Sequence, residues 1–512
     1  MRKVWMFSIL IAGLSVAACA ERNPKLAAQP GCEKATAQQC VARSMEAMGG
    51  REQLEKLKSV RLQTVSHTLL MEQSYRQAPF IASYQRDVVT LDLAGGRMLA
   101  EAKATWPESD LNQAESESTI VVGPDGGVYH HSGSPDSPCG LASQDAARES
   151  LALGPARILL TAANAADLHF APPETVRETS HAVVRFTWRN VPVKVLLNPF
   201  NHLPDAVETT QEFHDFWYFW GDVRQRTYFD NYKLVQGISY PTNLVVERNG
   251  ALWSSVQALN VEWNVPIDEK AFAMDAVAAK QSSALVGWKV PFRGKADTVL
   301  APGIDLFPGS WNSTIVKEPD GVVILEAPIS EVYTRGVIDE ARRRYPTTPL
   351  EAVLSTSDSW PHTGGVRVAV AEGLPVVILD LNRPLLDRMM NAAHTLHPDA
   401  LQSTSGKRKP KWRIVAAKME IGSGANRMEL YPLRGASTER QYMVYFPQHH
   451  LLYASDTLAL NDDGSLYDPE LMNEVVHAVA REKLTVDKVY AMHQEPVPWD
   501  KVIALLDKAR HA

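Results

Sequence analysis

At 512 residues the chain is too long for a single hydrophobic core, so two folded domains are expected. Its hydrophobic content of 45% and its charged content of 22% are ordinary for a soluble globular protein. A formal net charge of −7 at pH 7 gives no reason to expect nucleic-acid binding, which needs a basic surface.

The first residues have the pattern of a bacterial export signal. Arg2 and Lys3 form a positive end, and residues 4–18 form an apolar stretch that is too short to span a membrane comfortably. The stretch ends in Val-Ala-Ala-Cys, which resembles the bacterial lipobox, whose cysteine carries lipid after cleavage. We therefore predict a lipoprotein signal peptide at residues 1–18 and lipidation of Cys19. The alternative is an ordinary secretory signal, in which Cys19 has no special role.

This signal predicts an exported protein of the bacterial cell envelope, held at a membrane by its lipid anchor and facing the periplasm. Residues 19–31, which are polar with Pro and Ala, then form a tether. Cys32 and Cys40 lie close together in an exported chain, which makes a disulfide between them plausible. Cys139 is left as a free thiol on a loop.

Residues 32–273 are predicted to form an antiparallel β-rich domain with helices. Helical periodicity over residues 33–49 ends at a Gly-Gly pair, and residues 143–163 are helical again apart from a break at Gly154-Pro155. Elsewhere apolar and polar residues alternate between glycine-rich turns, which is typical of an antiparallel sheet. The pattern resembles the curved antiparallel half-barrel of periplasmic lipoprotein-carrier proteins. That resemblance implies a lipid-like or other small-molecule ligand.

The densest aromatic run of the chain is Phe-His-Asp-Phe-Trp-Tyr-Phe-Trp at residues 213–220. One interpretation is a strand with aromatic side chains on both faces, one face in the core and the other under a helix. The other interpretation is the wall of an apolar groove that takes an acyl chain or a peptide. The sequence leaves both open.

Residues 274–297 lose the strand periodicity and are predicted to be a linker. After it, residues 298–512 alternate between short apolar strands and amphipathic helices, such as the helices expected at residues 332–344 and 469–482. Sheets covered by helices on both sides fit an αββα sandwich. The predicted fold class is therefore α+β, with a curved antiparallel β domain followed by this sandwich.

The order of segments after residue 298 resembles the metallo-β-lactamase superfamily. A buried strand runs into a loop of small residues that ends in Gly364-Gly365. In the superfamily this loop carries a His-x-His-x-Asp-His zinc motif. Matched on the two glycines, the first three ligands of the motif are Ser357, Ser359 and Pro361 here, and only its last histidine is retained, as His362.

Two further ligands of the superfamily pattern are retained. Asp456, in Tyr-Ala-Ser-Asp, matches the bridging aspartate, and His493, in Tyr-Ala-Met-His, matches the final histidine. A third expected histidine is absent, and Ser437 is the nearest match to its position. In the family pattern the retained residues belong to one metal site, whereas the serine positions belong to the other.

The resemblance implies that His362, Asp456 and His493 are catalytic and metal-binding residues. Two imidazoles and one carboxylate suffice in principle for one zinc ion and no more. The alternative is that the three are relics, bonded to one another in a dry pocket without a metal. His394 and His397 match a stretch common in the resembled subgroup, and we interpret them as a pocket rim or loop packing.

Two functions of different classes remain. The first is an envelope-anchored hydrolase of the metallo-β-lactamase superfamily with at most one metal ion, acting on an ester, amide or thioester. The second is a catalytically inactive ligand-binding or scaffold lipoprotein. Replacement of four expected ligands by Ser, Ser, Pro and Ser favours the second function, whereas joint retention of His362, Asp456 and His493 favours the first.

The lipid anchor can be tested directly. Cys19→Ser should move the protein from the membrane fraction to the soluble periplasmic fraction, because it removes the only proposed acylation site. Fractionation followed by immunoblotting measures this, with Cys139→Ser as the control that should stay in the membrane fraction. Recovery of the unmutated protein in the soluble fraction would end the lipoprotein interpretation.

Overall fold

The computed structural model describes residues 28–71, 80–105, 115–293, 298–404 and 408–511. The predicted signal peptide at residues 1–18, the lipidation site Cys19 and most of the tether at residues 19–31 lie outside these residues. The described residues form three β-sheets with helices packed against them.

Thirteen strands of the described residues form one antiparallel sheet in the order β6-β5-β4-β3-β2-β1-β13-β12-β11-β10-β9-β8-β7. Successive strands along the chain are neighbours in the sheet, except that β6 and β7 lie at its two edges. The series β1–β6 and β7–β13 are joined where β1 pairs with β13, with Val60 opposite Trp263. Such an order needs only hairpin connections, apart from the passage from β6 to β7. The strands are β1 Ser59–Leu69, β2 Ala82–Asp92, β3 Arg97–Thr105, β4 Ser116–Gly123, β5 Gly126–His131, β6 Ser134–Pro138, β7 His169–Val176, β8 Thr179–Trp188, β9 Val191–Leu197, β10 Pro204–Gln211, β11 Val223–Val235, β12 Ile238–Arg248 and β13 Ala251–Trp263.

Four helices cover one face of this sheet: α1 Ala37–Met48, α2 Arg51–Glu55, α3 Leu141–Leu153 and α4 Ile158–Asn164. Thr36 begins α1 with a capping box, in which its side chain accepts from the Gln39 amide and Gln39 reciprocates. The predicted helix at residues 143–163 is divided into α3 and α4 at Gly154-Pro155, as a proline break requires. Cys32 and Cys40 form a disulfide with a Cα–Cα distance of 5.8 Å, which ties α1 to the segment before it.

The aromatic run at residues 213–220 is not a strand, so the first interpretation of it is wrong. It forms a loop that ends in a short 3₁₀ helix, Tyr218–Trp220, between β10 and β11. Alternation cannot be read from a run in which nearly every residue is aromatic, because both faces are then equally apolar. The run divides its side chains between the two parts of the molecule.

Residues 274–293, within the predicted linker, are packed against their surroundings. They include helix α5 Ala276–Ser283, whose Ser282 hydroxyl accepts hydrogen bonds from the Gly127 amide at 3.0 Å and from the Gln144 side chain at 2.8 Å. Helix α5 also covers Cys139, which is a free thiol but is buried rather than on an open loop. Further along, Trp288 and Phe292 pack on the second part of the chain. The boundary at residues 274–297 stays a prediction.

The second part of the chain contains two smaller sheets. The first has seven strands in chain order and the second has six, counted over the residues that are described. Most neighbours are antiparallel, but β17–β18, β18–β19, β19–β20 and β24–β25 are parallel pairs. The first sheet consists of β14 Thr298–Ala301, β15 Ile304–Phe307, β16 Ser313–Lys317, β17 Val322–Leu325, β18 Leu350–Leu354, β19 Pro375–Leu379 and β20 Lys411–Val415. The second consists of β21 Met419–Ile421, β22 Met428–Pro432, β23 Tyr442–Phe446, β24 Leu451–Tyr453, β25 Lys488–Ala491 and β26 Gln494–Pro498.

The two sheets face each other across a dry core, and helices cover their outer faces. Val323, Leu354 and Val377 of the first sheet meet Leu430 and Val444 of the second in one buried cluster. The outer face of the first sheet packs against α6, α8 and α9, and that of the second against α11 and α12. The helices of this part are α6 Glu331–Arg344, α7 Trp360–Thr363, α8 Val366–Ala371, α9 Arg383–Asn391, α10 Ala400–Ser403, α11 Pro469–Arg481 and α12 Trp499–Arg510.

The layers therefore run helix, sheet, sheet, helix, and the mixed architecture predicted from the sequence, dominated by sheets, is confirmed. The curved half-barrel form of the first part stays a prediction. Among the helices that the structure describes, none is both long enough and apolar enough to cross a membrane.

Candidate functional site

Four ionisable residues lie at the carboxyl ends of two parallel strand pairs. Glu326 directly follows β17, and His362 lies on α7, eight residues after β18 ends. Asp456 lies three residues after the end of β24, and His493 lies two residues after the end of β25. Because the strands of each pair are parallel, their carboxyl ends meet at one edge of their sheet, which is where ligand sites of such sheets form.

The four residues form a continuous chain of opposite charges. The Nδ1 atom of His362 lies 3.0 Å from Glu326 Oε2, and its Nε2 atom lies 3.5 Å from Asp456 Oδ2. The other oxygen of Asp456 lies 3.0 Å from His493 Nε2. The structure thus brings the three sequence-predicted residues His362, Asp456 and His493 together and adds Glu326 to them.

The carboxylates on either side of His362 keep its imidazole protonated. Burial alone lowers the pKa of His362, but the carboxylates of Glu326 and Asp456 outweigh burial and raise that pKa to about 10. Burial alone raises the pKa of Asp456, yet His493 and His362 hold it well below its usual range. At neutral pH the cluster therefore contains a protonated imidazole between two carboxylates.

Hydroxyl groups fix the Glu326 carboxylate in place. Its Oε1 atom accepts a hydrogen bond from Thr356 Oγ1 and another from the Tyr453 hydroxyl at 3.1 Å. Thr356 Oγ1 is also 2.7 Å from Ser455 Oγ. Glu326 and Ser455 hold left-handed backbone angles, with φ of 82° and 59°. Non-glycine residues adopt such angles only where the surrounding structure fixes them, so this edge is tightly determined.

The positions of the lost ligands hold no group that could replace imidazole. Ser357 and Ser359 are fully buried in the loop before α7, and the Ser357 hydroxyl accepts from the Ser359 amide at 3.2 Å. Pro361 lies inside α7. Ser437 lies on the loop before β23, where Glu470 and Glu474 of α11 bind its hydroxyl and amide.

Aromatic rings pack around the start of α7, the helix that carries His362. Trp360, at the start of α7, is 6% exposed and stacks on Phe216 at a centroid distance of 5.0 Å and an interplanar angle of 15°. The ring centroid of Trp288 lies 4.5 Å from that of Trp360. The His362 side chain is 0% exposed and that of Asp456 is 5% exposed, whereas His493 is 35% exposed. No substrate can touch His362 in this arrangement.

The Gly364-Gly365 pair permits this close packing. A side chain at Gly364 would collide with the Ile329 carbonyl and with the Tyr218 hydroxyl, which donates a hydrogen bond to that carbonyl. A side chain at Gly365 would collide with Thr334 on α6. Both glycines are therefore explained by close approach of neighbouring segments, and neither needs a ligand.

His394 and His397 lie on the loop after α9, against the first part of the chain. His394 is buried, and its pKa is lowered to about 4 by burial and by the nearby Arg367, so it is neutral. His397 Nδ1 lies 2.7 Å from Glu212 Oε2. The carboxylate of Asp222 accepts from the amides of Thr395 and Leu396, which fixes the loop between them.

The resemblance implies zinc, but the donor set does not fit it. Within the described residues, no group of three or more His, Cys, Asp or Glu side chains is arranged to hold a metal ion. Each ring nitrogen of His362 faces a carboxylate oxygen, Glu326 Oε2 at 3.0 Å and Asp456 Oδ2 at 3.5 Å, so both nitrogens are directed at carboxylates in this arrangement.

Glu326 was missed in the sequence because no family ligand corresponds to it. A signal was nevertheless present, since Glu326 is the first residue after the wholly apolar run Val322–Leu325. A carboxylate at the end of a buried strand is rare unless something pairs with it. The pairing partner could not be named from the sequence, because His362 lies 36 residues away in the chain and on the neighbouring strand's loop.

A second candidate site lies in the first part of the chain, between the large sheet and α3. It is a cavity of about 300 Å³, within the lower range of small-molecule sites. One face of α3 lines it at helical spacing, through Ala142, Ala146, Glu149 and Leu153. Apolar side chains of alternate residues on one sheet face form the rest, including Val60, Leu62, Leu91, Val207, Phe229, Tyr240, Leu244 and Val246.

Polar side chains in the cavity wall are mostly satisfied by one another. The guanidinium of Arg248 lies between the rings of Phe213 and Trp253, 4.0 and 3.5 Å from their centroids, and pairs with Asp215 at 2.7 Å. Burial raises the pKa of Glu149 to about 7, and its carboxyl accepts from the Gln225 amide at 3.0 Å. Phe213, at the start of the aromatic run, lines this cavity, whereas the prediction that the run takes an acyl chain or a peptide stays a prediction.

No protein-family model and no curated protein sequence matches the chain significantly. Among solved structures, the sec-alkylsulfatase Pisa1 from Pseudomonas sp. is 15% identical over 41% of this chain and 40% of its own, with a TM-score of 0.30. A metallo-β-lactamase from Pontibacter korlensis is 14% identical over 43% of this chain and 99% of its own, with a TM-score of 0.34. The DIM-1 metallo-β-lactamase is 17% identical over 42% and 95%, with a TM-score of 0.33.

The matched region spans less than half the length of the sulfatase. Metallo-β-lactamases and an alkylsulfatase are thus among the structures that this chain is similar to. These likenesses are distant, with identities of 14–17% and TM-scores of 0.30–0.34.

The contribution of these four paired charges to the stability of the fold can be tested by mutation. His362→Ala should lower the free energy of unfolding by about 3–5 kcal/mol, because it leaves the buried Glu326 carboxylate without its cation and leaves Asp456 with His493 alone. Urea unfolding measures this. Glu326→Gln added to His362→Ala should recover part of the loss by removing one buried charge.

Ser359→Ala is the matched control. Ser359 is equally buried in the same loop, and its hydroxyl has no hydrogen-bond partner among the described residues. Its replacement should cost less than about 1 kcal/mol. Equal losses for His362→Ala and Ser359→Ala would contradict a stabilising role for the buried imidazolium.

Proposed function

We propose that this protein is an envelope-anchored binding protein for an apolar ligand. In this proposal residues 32–273 hold the ligand, and residues 298–512 form a metallo-β-lactamase-like unit without a catalytic metal. The lipid on Cys19 and a position facing the periplasm belong to the same proposal, since a carrier or scaffold of the envelope needs both.

The observation that carries the proposal is the cavity between α3 and the large sheet. Its wall is mostly apolar, and it is large enough for a small molecule. An apolar ligand would gain the free energy of leaving water by entering it.

The state of the candidate catalytic edge also supports a binding function. Hydrolysis needs a group that touches the substrate, yet His362 is fully buried and pairs with two carboxylates. His493 is the exposed member, but its Nε2 faces Asp456 and its Nδ1 faces the Ser310 carbonyl at 2.8 Å. Neither ring nitrogen of His493 is left to take a proton from a nucleophile.

Binding can be measured with a neutral apolar fluorophore such as N-phenyl-1-naphthylamine. The unmutated protein should bind it saturably, with a rise in fluorescence as the probe leaves water. Leu62→Trp should weaken binding by at least about 10-fold, because the larger ring fills the cavity that Leu62 lines. Thermal unfolding checks that the variant remains folded.

Leu252→Trp is the control for this experiment. Leu252 is 48% exposed on β13 and does not line the cavity, so the same substitution there should leave probe affinity unchanged. Non-saturable binding, or equal effects of the two tryptophans, would contradict ligand binding in this cavity.

A hydrolase is the second candidate, and the convergence of His362, Asp456 and His493 favours it. Elemental analysis and assays with a chromogenic ester and a chromogenic thioester decide between the two. We expect well under one equivalent of zinc and no hydrolysis above that of the His493→Ala variant. One full equivalent of zinc, with both metal and hydrolysis lost in His493→Ala, would replace the binding function by the hydrolase.

A further inference from the structure

The cavity beside α3 contains one charged group that no described residue neutralises. Arg157 lies on the turn between α3 and α4, where it is half-buried and lines the cavity together with Pro155 and Ala156. Within the part of the chain that the structure describes, its guanidinium forms no ion pair and no hydrogen bond. Burial lowers the pKa of Arg157, and no neighbouring charge opposes that effect.

The other charges of the cavity wall are already matched. Asp145 pairs with His214 at 2.6 Å and with Arg148 at 3.2 Å. Arg248 pairs with Asp215, as described above. Glu149 receives a hydrogen bond from Gln225, and its raised pKa reduces its negative charge near neutral pH.

An arginine beside an apolar cavity keeps five N–H donors that fit carboxylate or phosphate oxygens. Leaving such a group without a partner in a partly dry environment is unfavourable, so a bound anion would satisfy it. The apolar lining meanwhile requires a hydrocarbon part in the same ligand. At about 300 Å³ the cavity is at the small end of ligand sites, which favours one hydrocarbon chain over a lipid with several.

We propose that the ligand is a single-chain anionic amphiphile, whose hydrocarbon chain fills the cavity and whose head group meets Arg157. This inference rests on the proposed binding function and adds the chemical class of the ligand. Carboxylate and phosphate head groups share the required chemistry, because both offer the paired oxygens that a guanidinium binds.

The experiment compares ligands of one chain length and different head groups. Decanoate, decyl phosphate, decanol and decyltrimethylammonium are each titrated against protein loaded with N-phenyl-1-naphthylamine, and displacement gives their affinities. The unmutated protein should bind at least one of the two anions about 10-fold more tightly than decanol and should bind the cation most weakly. The tighter anion identifies the head group.

Arg157→Gln should abolish this preference. The variant should lose about 10-fold in affinity for the preferred anion, equivalent to about 1.4 kcal/mol, and change its affinity for decanol less than about 2-fold. Arg61→Gln is the matched control. Arg61 lies on β1 between the cavity residues Val60 and Leu62, so its side chain points to the opposite sheet face, and its replacement should change neither affinity.

The possible failures are distinguishable. If no probe and no amphiphile binds, the proposed function itself fails, and the inference fails with it. If the probe binds but decanol equals both anions, or if Arg157→Gln changes nothing, ligand binding stands and the anionic head group is overturned. Equal losses in Arg157→Gln and Arg61→Gln would also overturn it, because the effect would then follow net charge alone. Tightest binding of the cation would assign the head-group contact to Glu149 instead.

Discussion

The second part of this protein depends on a buried imidazolium. Two carboxylates, Glu326 and Asp456, are buried where strands from two facing sheets end, and each would be strongly unfavourable there without a positive partner. His362 provides that partner for both through its two ring nitrogens. Because the carboxylates belong to different sheets, the same cation also holds the two sheets together at this edge.

The same interaction explains why a retained set of ligand-like residues need not be a metal centre. A metal and a protonated histidine both supply positive charge between carboxylates, but they use the imidazole lone pair in opposite ways. With serine at three expected ligand positions and proline at another, few metal donors remain at this edge. Trp360, Phe216 and Trp288 pack on one another at the start of α7, two residues before the buried His362.

The first part of the chain has the opposite character. Its charged side chains pair with one another around an open cavity and are not buried in a core. Arg157 alone in the cavity wall has no counter-ion among the described residues. The aromatic run connects the two environments: Phe213 lines the cavity, whereas Phe216 and Tyr218 pack on α7 and the loop before α6. The cavity wall in the first part and the packing around α7 in the second therefore share one short segment.

Sequence pattern alone determined much of the local structure, because local structure depends on near neighbours. Thr36 with Gln39 begins α1, Gly154-Pro155 divides α3 from α4, and alternation indicates the strands of the large sheet. The sequence also predicted the mixed architecture and selected His362, Asp456 and His493 as residues to examine together. It gave no role to Glu326 or Arg157 and read the aromatic run as a strand or a groove wall. Only the tertiary structure decided these points, since the charge state of His362 depends on carboxylates 36 and 94 residues away in the chain, and the isolation of Arg157 depends on which distant residues fail to approach it.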